Sequence, residues 1–381
     1  MFEPKLISSQ IYRDWPLHFD PLLPQVVTDA QGEKRALDTG VKILPNGDVS
    51  FRVYAPGARS ISLESKAFQL DLHKDAEGFF TGILPYDPIL AGPHSFDFIV
   101  DGACFLCPYV PISWHRDRPV NYIDIPDPDT PYIHIQKVPH GSVTREIYWS
   151  ETMGRYERCI VYTPPGYMKD TKEYPVLYLQ HGMTENEITW EYNGRVSSIV
   201  DNLLAEGKCE PCLIVMNNGM IRYRAENHWD SAFEDNLLRD CIPFMEQNYR
   251  VKTGRWDRAI AGLSMGSMQA SVIGLSHPEL FAWIGLFSGF MRISDPDAEQ
   301  QHLQRLKDAA AFQQQYGVFF RAMGERDGFM SSFLEDDQIC KECGIDVLRN
   351  YHRVVYPGQT HEFGAWRRAL HDFLPLLFRK K

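Results

Sequence analysis

Two hydrophobic patterns divide this chain. In the first third, apolar and polar positions alternate over short runs broken by turn residues. Val49-Ser-Phe-Arg-Val-Tyr-Ala-Pro-Gly-Ala-Arg-Ser-Ile-Ser-Leu reads as a half-buried strand pair around a Pro-Gly turn. Gly78-Phe-Phe-Thr-Gly-Ile-Leu and His94-Ser-Phe-Asp-Phe-Ile-Val-Asp-Gly read as further strands of the same kind. Short alternating strands of this sort predict a small all-β sandwich over residues 1–125. Ile125-Pro-Asp-Pro-Asp-Thr-Pro can hold neither a helix nor a central strand, so a linker is expected at 126–137. From 138 to 381 the pattern changes to buried apolar strands alternating with helical stretches, which predicts an α/β fold on a mostly parallel, doubly wound sheet.

One strand in the second region carries chemistry. Ala259-Ile-Ala-Gly-Leu-Ser264-Met-Gly is an apolar strand running into Gly-x-Ser-x-Gly, followed by a helical stretch. A nucleophile elbow needs that order, because the tight strand-to-helix turn lifts the serine hydroxyl clear of the sheet. Gly262 and Gly266 then stand where a Cβ would strike the neighbouring strand and helix. The alternative is a serine capping an ordinary helix.

An elbow predicts an acid and then a histidine, each past a later strand. Tyr316-Gly-Val-Phe-Phe-Arg-Ala-Met-Gly leads into Glu325-Arg-Asp327, and Tyr351-His-Arg-Val-Val-Tyr leads into Pro-Gly-Gln-Thr-His361. Asp327 and His361 are therefore the expected catalytic partners of Ser264. Glu325 has less room to point inward, while Asp336 and Asp337 are expected on the solvated face of a helix. His352, within a strand, and His371, on the final helix, are expected to be structural.

Tyr174-Pro-Val-Leu-Tyr-Leu-Gln-His181-Gly182-Met183 is an earlier strand ending in a His-Gly turn. Acyl transfer needs two backbone N–H groups aimed at the developing oxyanion. The expected donors are Met265, directly after the nucleophile, and Met183, with His181 packing beneath the loop. Trp190 and Trp229 could each stack on an aromatic acid or a sugar, with core packing the alternative for both. The polar stretch 294–315 is expected to act as an open or mobile lid.

Taken together, the second region resembles the esterase D-like α/β-hydrolases, closely the feruloyl and acetyl-xylan esterases of carbohydrate esterase family 1. The resemblance rests on Val161-Tyr-Thr-Pro-Pro-Gly-Tyr, Tyr174-Pro-Val-Leu-Tyr-Leu-Gln-His-Gly, Phe233-Glu-Asp-Asn-Leu-Leu, Arg258-Ala-Ile-Ala-Gly-Leu-Ser-Met-Gly, His277-Pro-Glu-Leu-Phe and His361-Glu-Phe-Gly-Ala-Trp-Arg. It implies an α/β-hydrolase fold, a serine esterase acting on hydroxycinnamoyl or acetyl esters of plant-derived oligosaccharides, and a cleft lined by the loop holding Asn193. The chain departs from the family pattern at Met183-Thr-Glu-Asn, Ser267 and Gln359-Thr360, all bordering the acyl pocket. The N-terminal region is similar to early-set modules of the carbohydrate-binding-family-48 type, through Phe-Arg-Val-Tyr-Ala-Pro and Phe-Ile-Val-Asp-Gly. Its aromatics alternate in a way that buries them, so a structural role is expected, with Trp114 the candidate exception.

Related folds hydrolyse siderophore esters and thioesters such as S-formylglutathione, and a vestigial carbohydrate-binding protein is the non-enzymatic alternative. Composition narrows the partners. A formal charge of −11 speaks against nucleic acid and anionic membranes. No stretch approaches a spanning helix, and the N-terminus does not read as a signal peptide, so a cytoplasmic location is expected. The eight cysteines include three Cys-x-x-Cys pairs, each more than a hundred residues from the next, which fits reduced thiols rather than a metal site. No cofactor or metal is expected. The partner is a small-molecule or oligosaccharide ester, and a homo-oligomer is left open.

Overall fold

The computed structural model describes residues 25–115, 118–220, 229–289, 291 and 304–379, with 229–231 given by backbone alone. Two compact units divide at Ile135/Gln136. The divide falls inside the expected linker, although Thr130 and Ile133 within that stretch are buried rather than solvated.

The first unit is all-β. Its main path runs through strands 112–115, 118–125, 92–100, 61–64, 69–74, 79–84, 49–54 and 40–43, every neighbour antiparallel, with Ala103–Phe105 added beside 92–100. Gln69–Lys74 is the corner: its first four residues pair with Ile61–Glu64 and its last two with Phe80 and Thr81. That change of partner lets one hydrogen-bonded path wrap around one core. Phe51, Phe80, Phe96 and Phe98 meet in that core, as their alternation requires. Val49–Tyr54 and Ile61–Glu64 are strands, but they do not pair with each other as expected. Val49–Tyr54 lies between 40–43 and 79–84, and Ile61–Glu64 lies between 69–74 and 92–100. The segment around Pro56-Gly57 carries the chain between the two parts of the path instead of closing a hairpin. Trp114 is half-buried.

The second unit is built on eight strands: β1 (Ser142–Ser150), β2 (Arg155–Thr163), β3 (Val176–Gln180), β4 (Leu213–Asn217), β5 (Arg258–Leu263), β6 (Trp283–Phe287), β7 (Val318–Gly324) and β8 (Tyr351–Tyr356). Their spatial order is β1-β2-β4-β3-β5-β6-β7-β8. Only β1 and β2 run antiparallel to their neighbours; β3 to β8 are parallel. Every residue of β3, β4, β5, β6 and β7 is buried, as expected of strands covered on both faces. Four helices matter below: α1 (Val196–Ala205), α2 (Met265–Ser276), α3 (Met330–Glu342) and α4 (Phe363–Phe373).

Asp336 and Asp337 do not lie on a solvated helix face as expected. Asp336 on α3 is fully buried, and Asp337 is largely so. The reason is Arg321, a charged residue in the middle of β7 with a fully buried side chain. Its guanidinium meets Asp337 at 2.7 Å, Asp336 at 3.4 Å and the Phe333 carbonyl at 2.9 Å. A buried guanidinium needs such partners, and α3 supplies them. Within 304–315 of the stretch expected as a lid, Leu306 and Phe312 are buried in the core, Phe312 packing tilted against Tyr316 and edge-on to Phe319. Residues 294–303 lie outside the described residues.

Candidate active site

β5 ends in the elbow. Ser264 has φ +51° and ψ −117°, a strained conformation for a residue with a side chain. Its N–H donates to the Phe287 carbonyl at 2.9 Å, which fixes the turn to β6. The flanking glycines are required by space. A Cβ on Gly262 would lie 2.4 Å from the Gly266 carbonyl, and one on Gly266 would lie 2.5 Å from the His181 carbonyl. No side chain fits at either position without moving backbone.

The acid and the histidine arrive from β7 and β8, and their loops are tied together. The Tyr356 carbonyl accepts from Glu325 N–H at 2.9 Å, and the Gln359 carbonyl accepts from Arg326 N–H at 2.8 Å. Glu325 Oε2 accepts from Gly358 N–H at 2.8 Å, so the rival carboxylate is a strut. Asp327 and His361 are thereby brought into register. His361 Nδ1 lies 2.8 and 3.0 Å from the two Asp327 oxygens, and Nε2 lies 2.9 Å from Ser264 Oγ. With Nδ1–H donating to the carboxylate, Nε2 is left with a lone pair facing the serine hydroxyl, the tautomer a general base needs. The Asp327 side chain is fully buried, while His361 remains partly open to solvent. Trp366 packs edge-on to the imidazole at 5.2 Å, and Phe329 at 5.0 Å.

The loop after β3 stands beside Ser264: a Cβ on Gly182 would be 3.5 Å from the Ser264 Cβ. Its shape is held from below. His181 Nδ1 donates to the Gly182 carbonyl at 2.7 Å, and Nε2 accepts from Gly219 N–H at 2.8 Å. Burial pulls the His181 pKa down from 6.5 to about 4, so the ring stays neutral and can both donate and accept. Glu185 Oε2 takes the Gly182 N–H at 3.0 Å. Among the described residues, the Met183 and Met265 N–H groups are engaged in no hydrogen bond. Met265 is also the first residue of α2, where the helix dipole favours negative charge.

Two residues expected to meet substrate do something else. Trp190 is 1% exposed; its indole N–H donates to the Gln180 carbonyl at 2.7 Å, and its ring packs against Phe287 and Phe363. It is a core side chain beneath the site, held by that hydrogen bond and by the two phenylalanine rings. Asn193 is buried as well, and its carbonyl accepts from Arg367 Nε at 2.8 Å, which joins this loop to α4. Trp229 begins a helix, and its side chain lies outside the described residues. Phe329, which no sequence expectation covers, lies two residues beyond Asp327 and is 42% exposed. Its only signal in the sequence is a large apolar residue two positions past the acid. Among the described residues, no group of three or more His, Cys, Asp or Glu side chains could hold a metal ion, and no helix is long and apolar enough to cross a membrane.

A serine on an elbow, a histidine within reach of it and a buried carboxylate behind, at the carboxyl ends of an eight-stranded sheet, define a hydrolase of the α/β-hydrolase fold. The profile of the family described as "Putative esterase" matches residues 150–377, and the chain belongs to that family. It is 32% identical over 392 aligned positions to an endo-1,4-beta-xylanase/feruloyl esterase of Xylanibacter ruminicola, an alignment covering 98% of this chain and 50% of the relative. The chain thus spans about half the length of that relative. A ferulic acid esterase structure is similar over 62% of this chain and 97% of its own, with 26% identity and a TM-score of 0.54. The enterobactin esterase of Shigella flexneri shares the fold over 86% of this chain and 92% of its own, at 14% identity and a TM-score of 0.59.

Proposed function

We propose that this chain is a serine carboxylic-ester hydrolase that releases hydroxycinnamoyl or acetyl groups from plant-derived oligosaccharide esters. The observation that carries the reading is the continuous hydrogen-bonded line from Asp327 through His361 to Ser264, at 2.8 and 2.9 Å. The acyl preference is supported by the xylanase/feruloyl esterase relative.

Ser264 Oγ attacks the ester carbonyl carbon as its proton passes to His361 Nε2. The carbonyl oxygen takes the negative charge and is met by the N–H groups of Met183 and Met265. The intermediate collapses by breaking the bond to the alcohol oxygen, which receives the proton from Nε2. Water then attacks the acyl-serine, giving its proton to Nε2, and the acid leaves as Ser264 regains a proton. Asp327 holds the imidazole in the required tautomer and stabilises the imidazolium. The first unit, with Phe51, Phe80, Phe96 and Phe98 buried in its core, is read as an early-set-like module with a structural or substrate-shaping role rather than an independent glycan-binding one.

The test is hydrolysis of p-nitrophenyl acetate, methyl ferulate and S-formylglutathione by the wild type and by Ser264→Ala. The expected result is preference for methyl ferulate over the thioester, with kcat lower by about 10⁶ in the variant at unchanged thermal stability. Activity retained by Ser264→Ala would overturn the mechanism. A preference for the thioester would overturn the substrate.

A further inference from the structure

The imidazole of His361 lies between two aromatic rings that differ in one respect. Trp366, at 5.2 Å and 89°, is almost wholly buried in the packing of α4. Phe329, at 5.0 Å and 64°, is 42% exposed. Phe329 is also held in place: its N–H donates to Asp327 Oδ1 at 2.9 Å, so its position follows from that of the catalytic acid. At that exposure the Phe329 ring is covered only in part, so some of its apolar surface remains accessible.

The proposed reaction says what passes that face. In the tetrahedral intermediate the carbonyl oxygen points to the Met183 and Met265 N–H groups, and the acyl carbon is bonded to Ser264. The departing oxygen must come within hydrogen-bond reach of His361 Nε2 to be protonated. Whatever is attached to that oxygen therefore leaves past the imidazole, and the ring packed on the imidazole borders its space. The C–H face of a sugar ring is apolar and flat enough to stack on an aromatic ring.

We propose that Phe329 determines specificity for the leaving group, its exposed face serving as a platform for the sugar ring that carries the ester. This rests on the reading of the chain as an oligosaccharide-ester hydrolase. It assigns alcohol recognition to the acid loop and leaves recognition of the acid to other walls of the cleft.

The experiment compares methyl ferulate with a feruloylated arabinose-containing oligosaccharide, using wild type, Phe329→Ala and Phe329→Trp. The expected result for Phe329→Ala is a fall of about 3- to 10-fold in the ratio of kcat/KM for the oligosaccharide ester over that for methyl ferulate. The fall should be carried by KM for the oligosaccharide, and Phe329→Trp should restore the ratio. An unchanged ratio in Phe329→Ala overturns the assignment. So does an equal loss of kcat on both esters with a displaced pH–rate profile, which would make Phe329 a brace for His361. A wild type idle on both esters overturns the ester reading itself, and this assignment with it.

Discussion

β7 holds one buried charged cluster and leads into a second buried carboxylate, and the two do opposite work. Arg321, in mid-strand, is enclosed by Asp336, Asp337, the Phe333 carbonyl and the Tyr351 hydroxyl, with its guanidinium over the Phe333 ring at 4.3 Å. Asp327, just beyond the strand, is equally buried, but its partner His361 is partly open and faces a serine on a strained turn. The first cluster is closed and joins α3 to the sheet. The second opens at the carboxyl ends of the strands, where loops leave room for a ligand. Burial of charge is common to both, so burial alone does not mark a site. What distinguishes the second cluster is one group partly open to solvent, beside a serine on a strained turn.

The comparison breaks most visibly if the two carboxylates are exchanged for neutral groups. Asp327→Asn should lower kcat for the preferred ester by about 10⁴, because the amide favours the wrong imidazole tautomer, while the melting temperature moves little. Steady-state kinetics beside a thermal melt would test this, and a near-normal kcat would remove Asp327 from the triad. Asp336→Ala should do the reverse. Leaving Arg321 short of a partner in a dry interior costs about 3–5 kcal/mol of stability, with kcat per folded molecule nearly kept. Denaturant titration reads this directly, and a loss below about 1 kcal/mol would mean the cluster is not what holds α3.

A smaller effect concerns pH, through the buried side chains of His181 and Glu191. The folded pKa of His181 is depressed to about 4, so the stability it contributes is present above pH 6.5 and is lost as pH falls toward 4. Glu191 is the opposite case. Burial pushes its folded pKa up to about 7 against opposing hydrogen bonds from Ser197, so its contribution is present below about 4.5 and is lost as pH rises toward 7. Between pH 4.5 and 6.5 the two slopes oppose each other. Glu191→Gln should therefore make stability climb with pH across that window, by about 1 kcal/mol per unit relative to the wild type. His181→Gln should make it fall. Denaturation midpoints at three pH values check this, and parallel curves for all three proteins would refute both assignments.

The order of strands, the elbow, the acid after β7 and the histidine after β8 can all be read along the chain. Each depends on residues close in sequence: an apolar run, a turn and a polar residue at its end. The need for Gly262 and Gly266 is equally local. Pairing and burial are not. Whether Val49–Tyr54 joins Ile61–Glu64 depends on which strands, tens of residues away, cover the same phenylalanines. Whether Asp336 faces water depends on an arginine in another element, and Trp190 is drawn under the site by Phe287 and Phe363. The sequence by itself determined the class of chemistry, because a strained serine turn and its two partners have strict local requirements. The tertiary structure alone decided which tryptophan is core and which phenylalanine is open, because exposure is a property of the neighbours a side chain finds.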